Sequence, residues 1–495
     1  MAKILFIQNF YYDYQSVGVL SACLKAKGHQ TELLITSPDK VAQKIKEKEF
    51  DLIGFSVITG ERGLILKMIK NISHNNKKPV IVGGVDIAFN PDYWATNKNV
   101  DFICIGEGEN ALIELMDCIT NNRDYRKIKN LWIKSNGEIF KNPLRPILSK
   151  EELNKLPYFD YDILKKYKGL PFIVYSCGRG CLYSCSYCFN KTVREMHNAT
   201  VKEYTRMRDP EICIEELKMV KQRYCDTGIR GNYIYFVDST SLFNKKWAIK
   251  FFTLFKNEIG LNYSINACVN EITEEIADTL KETGCTNVRI GLESGDQNFR
   301  INVLKKYQKN DMFVKNLNYL NKRGIPALLN ILFGYPYETL DNALESVKFC
   351  TKLNYWSLWS PAVFIAYPET ELARKAIKDK LIDPDYNEKL NLAEYNHNKS
   401  LVLSNDIDQI KNLSSFLILV IWFPFLFPLV KRLIKIKPNW LFNTIYDITF
   451  AITYIRVWSK CKMAKRPILF MATFLLKNLG YRFSSIVKSN KSKKL

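Results

Sequence analysis

The sequence predicts an α/β protein: a doubly wound parallel sheet, then a second series of strand–helix units, then a basic helical tail. Three observations predict this order. Short β-branched runs alternate with helical stretches through about the first 385 residues. Several of the early runs pass directly into Gly or Ser before the next helix, as strand ends do in such sheets. Charge is unevenly placed. The 495 residues carry 72 Lys and Arg against 50 Asp and Glu, a formal +22, yet residues 411–495 hold 16 Lys and Arg against a single acid, Asp447, and so +15 of the excess. Apolar residues at 47% and charged residues at 25% are globular usage, which excludes a disordered or collagenous chain. The length fits about three domains.

In the first region, residues 3–7 form an apolar strand and 17–27 a helix closed by Gly28. Residues 31–35 are a second strand and 38–48 a second helix, and 52–57, 80–82 and 102–105 are further strands. The opening run reaches polar Gln8 and Asn9 too soon for a signal peptide, so a cytoplasmic protein with reduced thiols is expected. The expected domains are 1–125, a linker over 126–170, a core over 171–385 and a helical tail over 386–495.

The loops after these strands are distinctive. Asp13-Tyr14-Gln15-Ser16-Val17-Gly18 follows the first, Ser56-Val57-Ile58 the third and Gly83-Gly84 the fourth. Glycines let a bulky ligand approach the backbone, and Ser56 offers a hydroxyl. This arrangement resembles the cobalamin-binding domain, whose Asp-x-His-x-x-Gly, Ser-x-Leu and Gly-Gly motifs hold the nucleotide tail of the corrinoid. The resemblance implies a Rossmann/flavodoxin-like domain that binds cobalamin at Asp13, Gln15, Gly18, Ser56, Gly83 and Gly84. Gln15 stands where the family often has its axial histidine, and an amide is a poor cobalt ligand. The lower face of cobalt is therefore expected to lack a protein histidine. Gly106-Glu107-Gly108-Glu109 resembles the stretch that closes this domain. The residues alone leave open a flavodoxin-like domain whose glycines only make turns.

Cys181, Cys185 and Cys188 form C-x₃-C-x₂-C in a Gly-rich loop behind the strand expected at 171–175. Thiolates are the ligands that iron–sulfur clusters require, and three rather than four leave one iron open. Zinc or three core cysteines are the alternatives, although zinc normally takes a fourth Cys or His and only His197 is close. Cys177 falls outside the spacing and reads as a core residue. The motif resembles the radical S-adenosylmethionine (SAM) superfamily, with Tyr187 matching its aromatic residue before the last cysteine. The resemblance implies a 4Fe-4S cluster whose open iron chelates SAM and cleaves it on reduction to a 5′-deoxyadenosyl radical.

Strands expected at 171–175, 233–237, 263–269, 288–291, 328–333 and 362–366 make six strand–helix units, which matches the partial (β/α)₆ barrel of that superfamily. Ile290-Gly291-Leu292-Glu293-Ser294-Gly295 resembles its fourth-strand segment, with Glu293 near the cofactor ribose. Asp238 ends the second strand, where in that superfamily polar groups meet the methionine amino group, so the resemblance implies that Asp238 helps bind SAM. Phe333-Gly334-Tyr335-Pro336-Tyr337-Glu338-Thr339 resembles the fifth-strand signature, placing Gly334 near the adenine. Arg206-Met207-Arg208 resembles the basic element before the first helix.

Residues 413–430 hold 18 uncharged positions, roughly 27 Å of helix against a hydrocarbon core of about 30 Å. Pro424 and Pro428 break it, and cations follow at once. Residues 440–458 and 467–476 are further apolar stretches flanked by Lys and Arg. This pattern predicts a monotopic or re-entrant membrane anchor, with a helical domain folded onto the barrel as the alternative. Solid runs of Phe and Leu do not suit nucleic acid.

Together these resemblances imply a cobalamin-dependent radical SAM C-methyltransferase acting on an unactivated carbon. Its substrate is expected to be a small molecule, such as a lipid or isoprenoid, and its electron donor a ferredoxin or flavodoxin. A radical cyclase, rearrangement or coupling enzyme is the alternative inside the family, and a corrinoid or cluster sensor without turnover the one outside it.

Overall fold

The computed structural model describes residues 1–9, 14–46, 48–73, 78–167, 172–225, 232–353, 357–386 and 400–460. Asp13, the apolar stretch 467–476 and the Lys/Ser-rich end at 488–494 lie outside the described residues.

Strands β1 (Lys3–Gln8), β2 (Gln30–Ile35), β3 (Leu52–Ser56), β4 (Val80–Gly83) and β5 (Phe102–Cys104) are mutually parallel. The spatial order is β2-β1-β3-β4-β5, so the winding reverses between β1 and β3 and opens a crevice at their carboxyl ends. Ile4, Leu5, Ile53, Val82 and Ile103 are fully buried, as strands covered on both faces require.

The sheet does not stop at residue 125. Segment 126–170, expected to be only a linker, contributes β6 (Leu131–Ser135) and β7 (Glu138–Lys141), which pair antiparallel and extend the sheet beyond β5. Their turn is Asn136-Gly137, with φ of 51° and 83°, the left-handed pair that a tight hairpin needs.

Strand β8 (Ile173–Tyr175) opens the second body. The two-residue strands β9 (Gly178–Arg179) and β10 (Arg206–Met207) then pair antiparallel beside it. Next come β11 (Tyr233–Phe236), β12 (Asn262–Ala267), β13 (Cys285–Glu293), β14 (Ala327–Phe333) and β15 (Ser357–Val363). Six of these strands stand in the order β8-β11-β12-β13-β14-β15, all parallel, each reached through a helix. This is the expected open barrel of six units. Its core is strongly aromatic: the Phe252 ring stacks on Tyr263 at 4.8 Å, and Phe236 lies within 6 Å of Phe251, Phe252, Phe255 and Tyr263.

The last strand lies earlier than the expected 362–366. It pairs Ala327 with Ser357 and runs through Pro361, which lacks an N–H. Strand β15 is the sheet edge, the one place where a missing donor is tolerated.

The tail differs from the anchor expected at 413–430. The helix Ile407–Trp422 packs on β14, β15 and the helix Leu340–Lys352. Leu413, Phe416, Leu417, Ile418, Val420 and Ile421 are at most 4% exposed. Their apolar run is explained by the barrel they cover. The helix Trp440–Lys460 returns along it, and the Tyr446 hydroxyl donates to the Pro361 carbonyl at 2.8 Å. Among the described residues no helix is long and apolar enough to cross a membrane.

Candidate active site at the facing strand ends

The cysteine loop is fixed at both ends by its neighbours. At its start the Asp238 carboxylate, at the end of β11, accepts the Cys177 and Gly178 N–H groups at 3.1 and 2.8 Å and the Ser176 hydroxyl at 2.9 Å. Burial raises the Asp238 carboxyl, while these three bonds act to lower it. Asp238 thus shapes the loop backbone. Further along, Ser186 donates through N–H to Leu304 and through its hydroxyl to Val303, and its carbonyl accepts the Leu372 N–H at 2.9 Å. Cys188 then caps the helix Phe189–Met196, with the Asn190 amide 3.7 Å from its sulfur.

All three cysteines are free and half-buried. Burial pushes the thiols of Cys181 and Cys185 above their usual range and that of Cys188 to about 12. Such thiols ionise only where a strongly positive group stabilises the thiolate. Among the described residues no three His, Cys, Asp or Glu side chains converge as closely as a single metal ion needs. A cubane offers each thiolate a separate iron, and three free thiols on one pinned loop fit that demand. Cys177 is 2% exposed and belongs to the barrel core, as expected.

The remaining barrel residues converge unevenly. The Tyr187 ring, two residues past Cys185, meets Tyr335 edge-on at 5.6 Å. The Tyr335 hydroxyl donates to Glu293 at 3.4 Å, and Glu293 itself has φ 66° at the end of β13. Lys306, 7% exposed, places its ammonium 3.9 Å from the Glu293 carboxylate. Tyr187 and Glu293 thus meet beside the cysteines. Gly334 contributes backbone: at φ 79° its N–H donates to Glu338 at 2.5 Å, and its missing side chain faces Ile407 and Val363. Lys306 carried no sequence signal, because it is neither in a motif nor near the cysteines along the chain. Cys268, just past β12, has its thiol pushed up to about 12 by burial, with Glu271, Cys181 and Cys185 adding to the shift.

On the sheet side, a cavity of about 340 Å³ lies at the β1/β3 crevice. Gln15, Ser56, Gly83 and Gly84 line it from the first body, and Ser176, Gly178 and Arg179 from the cysteine loop. Gln15 donates to the Val174 carbonyl of β8 at 3.3 Å, so its side chain is turned towards the barrel. Ser56 and Ser16 share a hydroxyl hydrogen bond of 2.8 Å. Gly84 has φ 106°, and a Cβ there would lie 2.6 Å from the Val57 carbonyl oxygen. A Cβ on Gly83 would make only ordinary contact, so its absence leaves room in the cavity. This cradle fits a bulky ligand. Gly18 plays another part: the Phe159 ring, from the segment expected to be a linker, fills the space its side chain would take.

The family models now bear on this geometry. That for the radical SAM superfamily matches residues 175–350, and that for the B12 binding domain matches residues 5–116. The chain joins a B12-binding domain to a radical SAM domain. The radical SAM domain makes the chain an enzyme and implies a 4Fe-4S cluster and SAM, and the B12-binding domain supports cobalamin as a further cofactor. Similar proteins match over about 70% of the chain. An uncharacterized methyltransferase of Pyrococcus horikoshii is 28% identical over 349 residues, covering 69% of this chain and 72% of its own. The cytidylyl-2-hydroxyethylphosphonate methyltransferase of Streptomyces wedmorensis is 21% identical over 394 residues, covering 70% and 71%. Among solved structures, the cobalamin-dependent S-adenosylmethionine radical enzyme OxsB, with aqua-cobalamin and S-adenosylmethionine bound, superposes with a TM-score of 0.66. It is 18% identical and covers 97% of this chain and 75% of its own. The radical S-adenosylmethionine methyltransferase TsrM of Kitasatospora setae, with cobalamin and a [4Fe-4S] cluster, gives 0.61 at 18% identity over 77% and 78%. These likenesses show the fold, a B12-binding domain set against a radical SAM barrel.

Proposed function

We propose that the enzyme is a cobalamin-dependent radical SAM C-methyltransferase that acts on an unactivated carbon of a small molecule. One observation carries this reading: a single cavity is walled on one side by Gln15, Ser56, Gly83 and Gly84 and on the other by Ser176, Gly178 and Arg179 of the cysteine loop. When bound, the cluster and SAM supply one-electron cleavage to a carbon radical, and cobalamin supplies the methyl group.

The residues have separate tasks. Cys181, Cys185 and Cys188 would hold the cluster, and three ligands in place of four would leave it open to SAM. Tyr187 and Glu293 flank SAM beside the cysteines, Asp238 orients the loop that carries them, and Gly334 places Tyr335 behind Tyr187. Asp13, Gln15, Ser56, Gly83 and Gly84 belong to the corrinoid side, where Gln15 offers no axial imidazole, whereas Gly18 packs under the Phe159 ring. Apolar Phe6, Leu20, Ile81 and Leu112 line the cavity and keep water from a reactive intermediate. A ferredoxin- or flavodoxin-type protein delivers the electron. The basic, apolar tail supports an enzyme held at the inner face of the membrane, with a lipid or isoprenoid substrate.

Anaerobically reconstituted protein with dithionite and SAM is the test. Formation of 5′-deoxyadenosine together with cobalt retention supports the reading. No 5′-deoxyadenosine defeats the radical chemistry, and iron without cobalt defeats the corrinoid half. Methyl-labelled SAM that leaves its label out of every product points instead to a cyclase, rearrangement or coupling enzyme.

A further inference from the structure

The buried helix Ile407–Trp422 leaves the lipid-facing role to another part of the tail. Beyond Trp422 the chain makes a turn at Pro424–Leu426, a short helix Phe427–Leu433 and a loop into the helix Trp440–Lys460. Phe425 is 76% exposed and Trp440 74%, and Phe423, Leu429, Ile436 and Leu441 also stand out into solvent. Exposed large apolar residues gathered in one segment mark an interaction surface.

The segment is held in place. Asn412, on the buried helix, donates to the Ile434 and Ile436 carbonyls at 3.0 and 2.7 Å. Val430 and Ile434 point inward and are at most 2% exposed. Its exposed face is therefore presented outward by a fixed backbone. Charge identifies the partner. Lys431, Arg432, Lys435 and Lys437 are exposed among these apolar residues, and no Asp or Glu occurs between Asp408 and Asp447.

We propose that this strap, residues 423–441, is the face that docks on an anionic lipid surface. Phe423, Phe425, Leu429 and Trp440 enter the boundary between headgroups and acyl chains, and the four cations bind the headgroups. The inference rests on the reading above that the enzyme works at a membrane, and it names the part of the chain that does so. Helix Ile407–Trp422 stays on the barrel throughout.

The test uses full-length protein with vesicles of phosphatidylcholine alone, or mixed with phosphatidylglycerol, including brominated phosphatidylglycerol. Wild type is expected to co-sediment with the anionic vesicles, and bromine is expected to quench its fluorescence. Trp440→Phe should lose much of that quenching while still binding. Phe425→Ser with Trp440→Ser, and separately Lys431→Gln with Lys435→Gln, should each weaken partitioning on the order of tenfold with an unchanged melting temperature. Full binding by both double variants overturns the strap and leaves the membrane reading standing. Wild type that binds no vesicle overturns both. A concentration-dependent dimer that the Phe425→Ser/Trp440→Ser variant abolishes, without vesicle binding, reassigns the face to a second copy of the chain.

Discussion

Arg179 of the cysteine loop lies 3.0 Å from Glu107 of the B12-binding domain, and its second amino group lies 2.5 Å from Glu109. Arg206 approaches the same Glu107 at 3.0 Å. Burial alone would raise the Glu107 carboxyl, but Arg179 and Arg206 hold it below its ordinary value. The network clamps the two domains at the mouth of the cavity, and Glu107 also accepts the Leu148 N–H at 2.6 Å.

Glu107→Ala should therefore cost on the order of 3 kcal/mol, because Arg206, 6% exposed, keeps its charge and loses its carboxylate. Thermal unfolding should begin earlier, and proteases should reach segment 142–167 sooner. A change below about 0.5 kcal/mol would mean that the domains are held together by packing alone.

Among the cysteines, the spacing and the burial make a sharp division. Cys188→Ser should abolish the iron–sulfur absorbance of reconstituted protein and most of its bound iron. Cys177→Ala, in the barrel core, should keep iron while losing about 1–3 kcal/mol of stability to the cavity it leaves. Equal iron loss in both variants would assign Cys177 to the cluster.

Much of this was legible in the sequence because the relevant signals were local. Cys181, Cys185 and Cys188 lie within eight residues, and Ser56 and Gly83 directly end their strands. What escaped depended on distance or on context. Asn136-Gly137 is a strong hairpin signal, but it joins two short strands of mixed polarity that read as linker. The apolar run 413–422 carries the same composition for a barrel face as for a membrane, and only Leu417 and its neighbours packed on β14 and β15 distinguish them. Lys306 reaches Glu293 through the fold, so no spacing announced it. Glu107 and Arg206 each lay in a recognised motif, but their pairing across 99 positions did not show.

Two adjacent glycines should separate fold from ligand. At Gly83 a side chain meets only ordinary contacts, so Gly83→Leu should fold and yet fill the cavity, weakening cobalamin binding at least tenfold. At Gly84, with φ 106° and a Cβ position 2.6 Å from a carbonyl oxygen, Gly84→Ala should cost about 1–3 kcal/mol of stability. Absorbance titration with hydroxocobalamin and thermal melts check both. Unchanged cobalamin affinity in Gly83→Leu would place the corrinoid elsewhere.

Glu338 gives the fold a predictable pH response. Its side chain is 4% exposed, Oε2 accepts the Gly334 and Tyr335 N–H groups, and Oε1 has no partner among the described residues. Burial outweighs those two bonds and pushes the carboxyl from 4.5 up to about 8. Between these values the folded chain holds a proton that the unfolded chain has released. Its stabilising contribution is therefore complete below about pH 4.5 and is lost as pH rises through about 8. Glu338→Gln stays neutral, its amide oxygen still accepts both N–H groups, and its NH₂ replaces the bare Oε1. The variant's melting temperature should gain on wild type as pH rises from about 5 to 8.5, by an amount worth about 1 kcal/mol or more. A pH-independent difference between the two proteins would show that Glu338 is ionised in the fold. Because the same loop sets Tyr335 against Tyr187, alkaline loosening at Glu338 should also weaken SAM binding before the protein unfolds.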